Sequence, residues 1–99
     1  MKLERKIIRV DGTETLLLER VSADDVCKLI KADTLCNFNV CDKSGKMFAV
    51  MVDDTGYAKE LPVNVKATAL YWSVCFVGTV HKILGDVVIA PDSDFAPRD

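Results

Sequence analysis

The chain has 99 residues, 49% of them hydrophobic and 28% charged, with a formal net charge of −2. That length predicts one domain whose core needs no metal or disulfide staple, and the apolar fraction excludes a disordered chain. The acidic balance argues against direct nucleic-acid binding, which calls for a basic domain or a dense basic patch.

The chain opens on MKLERKIIRV, which lacks the apolar run of about 7–15 residues that a signal peptide needs. No window approaches the roughly 20 apolar residues of a membrane span. A soluble, cytoplasmic protein with reduced cysteines is therefore expected. Residues 4–10 and 14–19 read as an antiparallel pair of strands around Asp11-Gly12, a pair suited to a type I′ turn. Period-2 spacing puts Arg5 and Arg9 on one face and Lys2 and Lys6 on the other, the pattern of a solvated edge strand. Ser22 then caps a helix over residues 23–31. Asp24 and Asp25 sit in its first turn, Lys28 and Lys31 in its last, and Val26, Leu29 and Ile30 form the buried stripe.

Residues 34–41, TLCNFNVC, alternate: Cys36, Phe38 and Val40 face one way, Asn37 and Asn39 the other. After the turn residues Asp42 to Gly45, the run KMFAVMV at 46–52 is apolar almost throughout, as in a central strand covered on both faces. Asp53 to Gly56 form another turn. Leu61-Pro62 breaks regular structure, and Asn64 caps a short helix over residues 65–72 with Val65, Ala69 and Trp72 as its core stripe and Leu70 adjoining. Residues 73–82 read either as an extension of that helix or as a strand. Residues 83–90, ILGDVVIA, are the clearest strand of the C-terminal half. These elements predict an α+β fold: a mainly antiparallel sheet of two hairpins plus a C-terminal strand, with two short helices on one face. Residues 1–90 form the domain and 91–99 an acidic, proline-containing tail.

Catalytic signatures are absent from the pattern. Cys27, Cys36, Cys41 and Cys75 include no C-x-x-C pair, and the one histidine, His81, has no thiol nearby in sequence, so neither a zinc site nor a Cys–His nucleophile is indicated. The pairs Asp24-Asp25 and Asp53-Asp54 are explained by a helix start and a turn. The glycines are scattered singly and do not form a phosphate loop. No cofactor is expected. The connection from Tyr57 to Asn64 is the best place for binding, because loops on a rigid scaffold carry sites more often than regular elements do. An anion at the helix start would meet Asn64, with Lys59 or Lys66 close by. The alternative is architectural: Leu61 and Val63 staple the helix to the sheet and Asn64 caps it.

The run VDDTGYAKELPVNVKATALYW, followed by ILGDVVIA, is similar to a family of phages, plasmids and other mobile elements known as domain of unknown function 3846. The matching positions are Asp53, Asp54, Gly56, Leu61, Pro62, Asn64, Ala67, Thr68, Gly85, Asp86, Val87 and Val88. The resemblance covers the second half of the chain and implies a mobile-element setting, not an activity. Three functions are then open. One is a non-enzymatic protein of a phage or mobile element that binds or inhibits a host protein, as in anti-defence, through exposed residues among Tyr57, Lys59, Leu61, Asn64, Lys66 and Phe95. Another is a small-molecule binder, for example of a nucleotide signal, at Lys59, Asn64 and Lys66. The last is a homo-oligomeric module that self-associates through edge strand 4–10.

Overall fold

A computed structural model describes residues 4–74 and 82–95. Lys2, Cys75, His81, the strand-or-helix segment from Cys75 onward and the last four residues lie outside the described part. The elements in chain order are β1 (Lys6–Ile8), β2 (Glu14–Leu16), α1 (Ala23–Ile30), β3 (Leu35–Cys41), β4 (Met47–Asp53), α2 (Val65–Val74), β5 (Val87–Pro91) and a 3-10 turn, Asp92–Phe95. The strands form one five-stranded sheet in the order β2-β1-β5-β4-β3. Every neighbouring pair is antiparallel. The C-terminal strand thus inserts between the two hairpins and joins them.

Insertion of β5 decides the layering. Each of its residues is buried, and its side chains alternate between two apolar clusters. Val87 and Ile89 point with Ile8, Val50 and Phe48 toward Ala67 and Leu70 of α2. Val88 and Ala90 point with Ile7, Ala49 and Met51 toward Val26 and Ile30 of α1. The expectation of both helices on one face is therefore corrected: they cover opposite faces. A central strand that is apolar at successive positions exposes hydrophobic side chains on both sides, and each side needs a cover. At about 1.5–3 kcal/mol per fully buried Val, Leu or Ile, both layers contribute substantially.

The first hairpin also differs from expectation. β1 lies between β2 and β5, so it is not an edge, and Lys6 and Ile8 are buried beneath α2. The turn is not type I′. Gly12 N–H bonds Arg9 O at 2.9 Å and Arg9 N–H bonds Thr13 O at 2.8 Å, with positive φ only at Gly12 (+91°). This three-residue loop ends on a left-handed glycine. The turn between β3 and β4 repeats it, with Gly45 N–H on Asp42 O at 3.1 Å and Asp42 N–H on Lys46 O at 3.0 Å. Asp11 and Asp42 carboxylates accept N–H bonds from the residues two ahead, which favours this turn.

Helix α1 has the expected cap in reciprocal form. Ser22 Oγ accepts from Asp25 N–H at 3.1 Å and Asp25 Oδ2 accepts from Ser22 N–H at 3.0 Å. It ends at Lys31, whose φ of 55° is left-handed.

Helix α2 turns its expected stripe of Val65, Ala69 and Trp72 outward and, of the residues expected inside, keeps only the adjoining Leu70 there. Ala67 and Leu70 are buried, whereas Val65 is 73% exposed and Trp72 46%. The helix is apolar nearly all round, so periodicity alone does not select a side. Selection comes from its ends: Asn64 is wholly buried, and Thr68 Oγ1 accepts Ile83 N–H at 2.9 Å. These bonds turn the 67/70 side inward. Tyr71 then reaches Phe38 of β3, ring centroids 5.5 Å apart.

The expected tail boundary also moves. β5 runs through Pro91, and Phe95 packs against the α1-side cluster. Arg5 grips the Asp94 carboxylate with a two-pronged bond of 2.7 and 2.6 Å, so residues 91–95 belong to the domain.

Candidate functional site

The candidate binding residues lie in and around the connection from β4 to α2. Asp53 ends β4. Its Oδ1 accepts Thr55 N–H and Oγ1–H, each at 2.8 Å, and its Oδ2 meets Lys59 Nζ at 2.8 Å. Burial pushes the Asp53 carboxyl upward, but the bonds from Lys59 and Thr55 outweigh it and hold it below the usual carboxylate range. Lys59 is raised in turn, chiefly by its bond to Asp53. The backbone from Thr55 to Glu60 winds into tight turns and leaves through Glu60 at φ 55°. Tyr57 sits at their crest, 88% exposed.

Leu61 to Asn64 then run back along residues 83–85. Gly85 N–H bonds Pro62 O at 2.8 Å, Asn64 N–H bonds Ile83 O at 2.7 Å, and Val63 bridges Leu84. Leu61 lies so close over Gly85 that an added Cβ there would stand 2.8 Å from Leu61 Cδ1. Asn64 ties three segments together. Its Nδ2 donates to Ile8 O at 2.9 Å and to Gly85 O at 3.0 Å, and its Oδ1 accepts Ala67 N–H at 3.0 Å. Asp86 adds a fourth link, accepting Val10 N–H at 3.0 Å and pairing with Arg9 at 2.7 Å. Leu61, Pro62, Asn64, Gly85 and Asp86 thus converge on one joint between the first hairpin, α2 and β5.

Lys66 points away from that joint. It bonds Gly12 O at 3.0 Å and pairs with Glu14 at 2.8 Å, while Lys6 reaches the same carboxylate at 2.6 Å. The two lysines lower the Glu14 carboxyl to about 2. The structure therefore brings together Leu61 and Asn64 at the joint, and Lys59 beside it. Lys66 is committed to the first hairpin, and Phe95 lies beneath α1 on the other sheet face. The polar groups that would receive an anion at the helix start, Asn64, Lys59 and Lys66, each have partners within the chain.

Two concavities flank the joint. One, of 240 Å³, is lined by Val10, Ile30, Lys31, Asp53, Lys59 and Asp86 among others. Of its charges, Asp53 is already paired with Lys59, and Asp86 with Arg9. The other, of 230 Å³, lies on the outer side of α2 and is lined by Val63, Val65, Thr68, Ala69, Trp72 and Lys82. Its wall is almost wholly apolar. The sequence assigned Val65, Ala69 and Trp72 to the core, so this surface was missed. Its only signal was a helix with more apolar residues than one buried face can use.

Among the described residues no helix is long and apolar enough to cross a membrane, and no group of three or more His, Cys, Asp or Glu side chains could hold a metal ion. Neither a protein-family model, nor a curated protein, nor a solved structure matches the chain.

Proposed function

We propose that the chain is a non-enzymatic binding protein that engages a host protein in the cytoplasm of a cell carrying a phage or mobile element. The observation that carries this reading is the outer surface of α2, where Val65 is 73% exposed beside Val63, Ala69 and Trp72. A run of apolar side chains left outward while the opposite helix face fills the core suits a protein partner. Tyr57, 88% exposed at the crest of the preceding loop, adds an aromatic of the kind enriched at interfaces. The mobile-element setting, and an inhibitory or anti-defence role within it, rest on the resemblance carried by Leu61, Pro62, Asn64, Gly85 and Asp86. The small-ligand alternative has less support, because Lys59, Asn64 and Lys66 spend their donors on Asp53, Ile8, Gly85, Gly12 and Glu14.

The test compares the immobilised protein with its Val65→Asp variant in bacterial lysate. Because Val65 is exposed at the first turn of α2, the variant should fold with a stability change within about 0.5 kcal/mol. A protein retained by the parent and lost by the variant supports the reading. Retention of nothing, or of the same proteins by both, overturns it.

A further inference from the structure

The two edges of the sheet are unlike. β2 is three residues long and carries Glu14, held by Lys6 and Lys66, which is how edges are ordinarily protected. β3 is seven residues long, LCNFNVC, with no charge, no proline and a continuous register against β4. Its outward backbone groups follow from the hairpin bonds. Asp54 N–H bonds Thr34 O at 3.1 Å and Asp42 N–H bonds Lys46 O at 3.0 Å, so the even-numbered residues of β3 direct their N–H and C=O to β4. Leu35, Asn37, Asn39 and Cys41 direct theirs outward, and among the described residues nothing pairs with them.

The strand is also close to a chemical palindrome about Phe38. Antiparallel pairing with a second copy, centred there, sets Asn37 opposite Asn39, Cys36 opposite Val40 and Leu35 opposite Cys41. In that register every outward N–H and C=O finds a partner, because the hydrogen-bonded positions are the odd-numbered ones on both strands. The two Phe38 rings meet at a non-hydrogen-bonded site, where side chains stand closest. Each already packs on Tyr71, so the apolar layer beneath α2 would continue across the axis. Two residues beyond either strand end, exposed Asp33 of one copy falls opposite exposed Lys43 of the other. Shifting the axis to Asn37 or Asn39 sets an apolar residue against an asparagine or leaves part of the edge unpaired. The geometry points to a two-fold dimer joined through β3, a continuous ten-stranded sheet whose interface is this strand twice over. It uses none of the outer α2 surface around Val65 and Trp72 and is independent of the reading above.

The experiment measures mass in solution across concentration. The parent should reach twice the 10.9 kDa of one chain. The double variant Asn37→Lys, Asn39→Lys places like charges in register across the axis and should remain a single chain, as should Asn37→Asp, Asn39→Asp. Mixing the two variants should restore the dimer, because each position then meets its opposite. Both asparagines are exposed, so the hairpin itself should be undisturbed. Amide exchange gives a readout without variants: Leu35, Asn37, Asn39 and Cys41 should gain protection as concentration rises. A parent that stays a single chain throughout, a lysine variant that still dimerises, or a dimer without protection at those amides overturns the proposal.

Discussion

Replacing Asn64 by alanine should be among the most damaging single changes available in this protein. The side chain is wholly buried and makes bonds of 2.9, 3.0 and 3.0 Å to Ile8 O, Gly85 O and Ala67 N–H. Alanine removes the α2 cap, which costs about 1 kcal/mol. It also strands Gly85 O in the joint, at about 1–3 kcal/mol if water does not reach it, whereas Ile8 O keeps its place opposite Val87 in the β1–β5 ladder. The expected loss is about 2–4 kcal/mol, a large part of the roughly 5–15 kcal/mol that holds a domain folded. Asn64→Ser should recover only about 1 kcal/mol, because it restores the cap but not the two donors. Asn64→Asp carries a further signature. Its ionised carboxylate would face Ile8 O and Gly85 O, so its folded-state pKa should rise above the unfolded value. The folded state then binds more protons than the unfolded one, and the variant should lose stability as pH rises above about 4. Urea unfolding followed by circular dichroism across pH measures all three variants. A loss below about 1 kcal/mol for Asn64→Ala, or full rescue by serine, would refute the view that Asn64 acts as a cross-link and leave it as a cap alone.

Two other outcomes follow from the same joint and its ion pairs. Gly85→Ala should cost about 1–3 kcal/mol, because φ is +77° and the new Cβ would meet Leu61 at 2.8 Å. Gly45→Ala, at φ +91° with open space around it, should cost only about 1 kcal/mol in the same unfolding assay, and equal losses would show that the Leu61 contact is irrelevant. The folded-state carboxyls of Glu14, Asp53 and Asp94 are all lowered, Glu14 to about 2. Groups depressed by folding contribute stability above their unfolded pKa of about 4 and lose it as pH falls through the folded value. The midpoint of urea unfolding should therefore be flat from pH 7 to about 5 and fall between about pH 4 and 2, and an unchanged midpoint at pH 3 would contradict these pairings.

Local chemistry was legible where one residue type had one physical use. Ser22 with Asp25 marks a helix start at any position in any fold. Alternation in TLCNFNVC separates Cys36, Phe38 and Val40 from Asn37 and Asn39, and the sheet keeps that division. Asn64 reads as a cap, and it is one. Its two longer bonds, to residues 56 and 21 positions away, have no sequence signature. The binding residues fared likewise: lysines near a helix start look ready for an anion until Asp53 and Glu14 arrive from elsewhere and take them.

The amino-acid sequence by itself therefore determined the order of the main strands and helices, the capped start of each helix and the α+β class, because these depend on neighbours within a few positions, but not where β2 ends, where β5 begins, or the 3-10 turn at Asp92–Phe95. Tertiary structure alone decided that β5 inserts between the hairpins, and from that one placement the rest follows. β1 loses its edge, β3 gains one, and the helices must separate to cover both sides of an all-apolar central strand. It also decided that Val65 and Trp72 face outward, because an all-round apolar helix is oriented by the partners at its ends and not by its own periodicity.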